Sequence, residues 1–135
     1  MRDPILRDLP YKIELKAWGK IEMSPARVQH ARLQAYITGE RIKQLTDGVV
    51  LTECPVLTDI GLRVSDVAWA SQAFMQRHAS AEIFPSAPEI CVEVISPSNT
   101  EMEITEKTHA YLQAGAVEVW FATEDGDLHF FDADG

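Results

Sequence analysis

Basic residues are nearly absent from the second half of this 135-residue chain. Residues 64–135 hold two, Arg77 and Lys107, against thirteen acidic groups, a local balance of −11. Residues 1–63 hold ten basic and eight acidic groups (+2), so the whole chain carries −9. Neutralising phosphate supplies most non-specific nucleic-acid affinity, so any nucleic-acid function must account for its own electrostatics. Cysteine is scarce: Cys54 and Cys91 have no CxxC or CxH neighbours, which excludes a disulfide framework. They read as small buried hydrophobes in a reducing compartment, an expectation of the cytoplasm. His30, His78, His109 and His129 show no HxH, HxxxH or HExxH spacing, which argues against zinc. Glycines such as Gly39, Gly48 and Gly61 stand alone, so there is no glycine-rich phosphate loop, and GxSxG is missing. Apolar runs fall far short of the ~18 residues of a membrane span. Residues 1–10 lack the apolar stretch of a secretory signal.

What is present is a globular balance, 46% hydrophobic and 24% charged, at a length that fits one compact domain. Alternation over 11–17 and 20–23, around Trp18-Gly19, predicts an N-terminal hairpin. Ser24-Pro25 reads as a helix start over a body of 26–45, closed by Asp47-Gly48. Strands are expected at 49–53 and 66–70 with a less regular stretch between them, then a short helix over 72–79 capped by Ser71. The most strand-like run is 89–95, followed by a helix from about 100 to 114 with Gly115 just past its end. Strands at 117–122 and 128–131, joined at Asp125-Gly126, complete the chain. Strand, helix, strand over 89–122 implies a parallel pair inside a mixed sheet.

Three polar residues interrupt this apolar pattern. Glu93 sits in the 89–95 run on the face of Cys91 and Ile95, where a carboxylate costs several kcal/mol unless a cation or hydrogen bonds compensate. Its alternative is a strand near an edge, with Glu93 reaching solvent or a surface lysine. Lys107 shares a helix face with Ile104, Thr108, Tyr111 and Leu112; a lysine snorkelling from the border of that stripe is the alternative. Asp66 opens the DVAWA run on the face of Val64 and Ala68, or serves as a turn residue. If the two strands are neighbours, Asp66 and Glu93 converge on one hard cation with Lys107 close by. Two carboxylates and a backbone carbonyl suit Mg²⁺, and such a set can hydrolyse a phosphodiester.

The same residues carry a family likeness. Ser65-Asp66-Val67-Ala68, Val92-Glu93-Val94-Ile95-Ser96-Pro97-Ser98, Glu106-Lys107 with Tyr111, Ala114-Gly115 and Val119-Trp120 follow in a familiar order. Together with Glu14 to Pro25 and His30, the chain resembles the small restriction-endonuclease-like family abundant in cyanobacteria, a branch of the PD-(D/E)xK nuclease superfamily. The resemblance implies an α/β (α+β) domain over 1–135: an N-terminal hairpin over 1–25, and a mixed central sheet flanked by helices over 26–135. It implies Mg²⁺ or Mn²⁺ bound by Asp66, Glu93 and the carbonyl of Val94, with a lysine assisting the attacking water. Ser65 stands where the family has proline, and Ile95 fills the lysine slot of ExK. In this branch the helix supplies the lysine, matching Lys107.

Glu14 either approaches the metal, as the family's hairpin glutamate, or lies on a solvated hairpin face. His30 either contacts phosphate or packs as an ordinary histidine. Ser96 and Ser98 read as capping residues first and phosphate neighbours second. The leading expectation is a metal-dependent endonuclease acting on DNA, with Arg27, Arg32, Arg41 and Lys43 contributing a basic surface and a homodimer addressing both strands. No membrane is involved. The other reading is a catalytically inactive nuclease-fold module for binding or assembly.

Overall fold

The computed structural model describes residues 11–16, 21–25, 28–42 and 45–133. The element order agrees with the sequence reading. Strands β1 (Tyr11–Lys16) and β2 (Ile21–Pro25) precede helix α1 (Val28–Tyr36), which loosens into a π-helical turn (Ile37–Arg41). Strands β3 (Gly48–Thr58) and β4 (Gly61–Ser71) follow, then α2 (Gln72–Arg77), β5 (Ile90–Val94), α3 (Glu101–Gln113), β6 (Glu118–Ala122) and β7 (Leu128–Phe131). The strands form one mixed sheet in the order β2-β1-β4-β5-β6-β7, with β3 on β4. Among the described strands, the parallel pair is β5 with β6, bridged by α3, as the crossover pattern requires.

The expected irregular stretch before Asp66 is strand. β3 and β4 form one long hairpin, paired from Gly48↔Ser71 to Thr58↔Gly61. Its turn is held by the Thr58 hydroxyl donating to the Gly61 carbonyl at 2.7 Å and by Gly61 at φ 108°. Asp66 is therefore not a strand opener but sits within β4. Ser24 and Pro25 belong to β2 and not to a helix start. The tip at Trp18-Gly19 lies outside the described residues. Ser96 and Ser98 do not cap α3 either. Thr100 does, in a reciprocal box with Glu103, while Asn99 caps the Ser96 N–H within the preceding turn. Desolvation opposes ionisation of Glu103, but hydrogen bonds from Asn99 and Thr100 and the Lys107 charge hold its carboxyl below the usual range. At the other end of α3, Gly115 takes φ 118°, its N–H donating to the Leu112 carbonyl.

Two apolar layers flank the sheet. On one side Ala68, Ala70, Cys91, Val119 and Phe121 pack with Phe74 of α2 and Tyr111 of α3. On the other, Val67, Ile90, Val92, Val94, Trp120 and Ala122 pack with Leu33 and Ile37 of α1 and its π turn. The period-two alternation of β5 and β6 assigns each residue to its layer. Burial drives the Cys54 thiol up to about 12 and pushes Cys91 upward as well, with Cys54 nearby. Both thiols are thus poor nucleophiles.

β5 is buried along its whole length, and in the longer β4 Arg63 through Ala68 are all buried. The alternation of the β3–β4 hairpin slips once. Leu51 packs on the α3 side, and so do Cys54 and Val56, three and five residues later. The slip falls at Glu53, whose φ is 52° and which drops out of the ladder opposite Asp66. On β4 Ser65 reaches Cys91 on the α3 side, although Ala68, three residues on, faces the same way.

Gly48 opens β3 against the ring of Trp69: a Cβ there would stand 2.4 Å from Trp69 Cε2. Gly48→Ala is expected to destabilise the domain by about 1–3 kcal/mol through overpacking, measured by urea denaturation. A variant as stable as the parent would show that the indole moves freely.

Candidate functional site: the open end of β5

β4 and β5 pair over three positions only, Val67↔Val92, Ala68↔Cys91 and Trp69↔Ile90. Beyond them side chains replace the ladder. The Ser65 hydroxyl faces the Val67 and Val92 carbonyls at 2.8 and 3.2 Å. The Val94 N–H donates to Asp66 Oδ2 at 2.8 Å. Ser65 thus ties the two strands at their point of parting.

Asp66 is fully buried, at 0% exposure. At the slip it turns toward α1 and away from the face of Ala68, to which regular alternation assigns it. There His30 Nε2 stands 3.2 Å from Asp66 Oδ1, and Gln34 donates from Nε2 to the Asp66 backbone carbonyl at 2.8 Å. His30 and Gln34 are one helical turn apart, so a single face of α1 grips both the carboxylate and the main chain of Asp66. Sequence reading named His30 and missed Gln34; the spacing of four was the available signal.

Glu93 is 3% exposed and faces the α3 layer, as its alternation with Cys91 predicts. The Tyr111 hydroxyl donates to Oε1 at 2.7 Å, and Lys107 Nζ lies 3.7 Å from Oε2. The first is a charge-assisted hydrogen bond; the second is an ion pair beyond hydrogen-bonding distance. Lys107 keeps 22% of its side chain exposed, so its ammonium reaches both the buried carboxylate and solvent. Ile95, two residues after Glu93, packs against the apolar layer, and the basic group beside Glu93 comes from α3.

The structure therefore brings together His30 with Asp66, and Lys107 and Tyr111 with Glu93. The two groups meet at the Glu93–Val94 peptide, from opposite sides of the sheet. Among the described residues, no cluster of three or more His, Cys, Asp or Glu side chains is placed to hold a metal ion. The backbone of Glu14 pairs with Glu22 across β1 and β2; its side chain lies outside the described residues. So do those of Arg27, Arg41 and Lys43, while Arg32 is exposed on α1. No described helix is long and apolar enough to cross a membrane.

Residues 5–134 match the family model of Uma2, described as "Putative restriction endonuclease". The chain belongs to the Uma2 family. A solved structure described as "a putative nuclease belonging to DUF820 from Anabaena variabilis" shares the fold of this Uma2 domain, with a TM-score of 0.64. It is 20% identical, over 84% of this chain and 73% of that one, a likeness of fold alone. No curated protein matches the chain.

The Val94 N–H gives a direct test of what Asp66 does for this Uma2 fold. Asp66→Ala removes its acceptor and is expected to cost about 1–3 kcal/mol, the usual penalty of a buried donor left unmade. Asp66→Asn, whose amide oxygen can still accept, is expected to cost clearly less. Equal urea midpoints for parent and Asp66→Ala would contradict the assignment.

Proposed function

We propose that this Uma2 domain is a divalent-metal-dependent endonuclease that hydrolyses phosphodiester bonds of DNA, in the manner of PD-(D/E)xK enzymes. The observation that carries the reading is Glu93: a carboxylate almost wholly out of water, with a lysine ammonium 3.7 Å away, beside a second buried carboxylate at a strand end. A purely structural sheet gains nothing from burying two such groups, each costing several kcal/mol before compensation.

The donor set suits a hard cation in kind. Asp66, Glu93 and the Val94 carbonyl offer oxygen only, and Mg²⁺ or Mn²⁺ commonly takes one or two carboxylates and completes its shell with water. Such a site needs no third side-chain ligand. When bound, the cation supplies positive charge at the reacting phosphate and acidifies water. The chain's own residues do the rest. His30 and Gln34 fix Asp66 from α1. Tyr111 fixes Glu93 from α3. Lys107, with part of its side chain in solvent, donates hydrogen bonds to an attacking water or to a phosphate oxygen arriving at the strand end. Arg32, exposed on the helix that carries His30, supports a duplex approaching from the α1 side, where the chain is less acidic. That approach should weaken with added salt.

The inactive binding module is the second reading, favoured by the missing three-residue cluster among the described residues. Calorimetric titration with Mn²⁺ followed by plasmid nicking decides between them. The endonuclease reading expects metal binding in the parent that is lost in Glu93→Ala, and nicking lost in both Glu93→Ala and Lys107→Ala. A parent that binds no metal, or binds without nicking, would overturn it in favour of the module or of another phosphate ester as substrate.

A further inference from the structure

Resting on the metal-site reading above, we infer that Tyr111 is a positioning residue that decides which oxygen of Glu93 serves the cation. Lys107 and Tyr111 are one turn apart on α3, and each addresses a different oxygen of the same carboxylate. The two contacts are unequal. Tyr111 is fully buried and its hydroxyl sits at 2.7 Å from Oε1, a short charge-assisted bond. Lys107 is partly exposed and stands at 3.7 Å from Oε2, an ion pair longer than a hydrogen bond. Rotation of the carboxylate is thus restrained by the tyrosine at Oε1, while Oε2 keeps the longer contact to Lys107.

The backbone makes the device rigid. Just past the end of α3 the Ala116 N–H donates to the Tyr111 carbonyl at 3.0 Å, and the helix end closes on Gly115. The tyrosine ring packs in the same layer as Cys91, Val119 and Phe121. Second-layer partners of this kind orient a ligating carboxylate, and losing one typically weakens metal binding by about 10–100-fold. Tyr111 touches neither substrate nor reacting atoms; it acts through Glu93.

The test is Mn²⁺ affinity by calorimetry for the parent, Tyr111→Phe, Glu93→Ala and Ile104→Val. Ile104 packs in the same layer of α3 and reports on helix docking alone. Positioning by Tyr111 predicts that Tyr111→Phe weakens Mn²⁺ binding about tenfold or more, while Ile104→Val lowers the melting temperature and keeps the parent affinity. Parent-like affinity in Tyr111→Phe, with binding abolished in Glu93→Ala, would overturn the inference and leave the metal site standing. Parent-like affinity in Glu93→Ala would overturn the metal site itself.

A second measurement holds even where Tyr111→Phe does not fold. In a Tyr11→Phe/Tyr36→Phe background Tyr111 is the remaining tyrosine. Its near-ultraviolet difference band should then saturate with the calorimetric Kd as Mn²⁺ is added. A silent tyrosine at full metal occupancy contradicts a hydroxyl bonded to the ligating carboxylate.

Discussion

Two carboxylates are held out of water at one end of one strand, and the architecture around them follows from that cost. Asp66 and Glu93 cannot be buried as charges without partners. β4 and β5 stop pairing at Val67↔Val92 so that side chains take over where the ladder ends. A backbone N–H, a histidine and a lysine with a tyrosine then compensate the pair. The two helices contribute from opposite sides: α1 secures Asp66, and α3 secures Glu93. Each needs two residues one turn apart, so each helix need present only one face.

This division explains why the sheet is mixed. A parallel β5–β6 pair requires a crossover, and the crossover is α3, delivered back over the carboxyl end of β5. The antiparallel β3–β4 hairpin supplies the other carboxylate, with the distortion at Glu53 turning Asp66 to the α1 side. Positive φ at a glutamate is strained backbone, and it lies opposite Asp66, where the alternation of β4 slips. The Ser65 hydroxyl ties the same region to β5. Local strain and side-chain ties thus do together what regular pairing cannot.

Much of this was legible in the residues. Alternation put Glu93 on the α3 face, and the helical wheel put Lys107 and Tyr111 on the face that docks there. Both signals are local, and nothing in the tertiary fold overrides them. The orientation of Asp66 was not legible, because an alternation rule assumes regular backbone and the distortion sits on the neighbouring strand. The length of the β3–β4 hairpin was hidden for a similar reason: Thr58-Asp59-Ile60-Gly61 is a turn inside a stretch whose proline and cysteine break the usual strand pattern. Gln34 escaped because its bond goes to a main-chain carbonyl, which composition does not reveal. The start of α3 near residue 100 was read correctly, but its cap was misassigned to serines that share a turn with Asn99, while Thr100-Glu103 carried the capping pattern in plain sight.

The most direct measurement is the anomalous scattering of Mn²⁺ in crystals of the parent domain grown with the metal. The account predicts a peak bonded to oxygens of both Asp66 and Glu93 at the end of β5, with the Tyr111 hydroxyl still on Glu93 Oε1. Mn²⁺ found elsewhere, with Asp66 still held by His30 and Glu93 by Lys107, would contradict it.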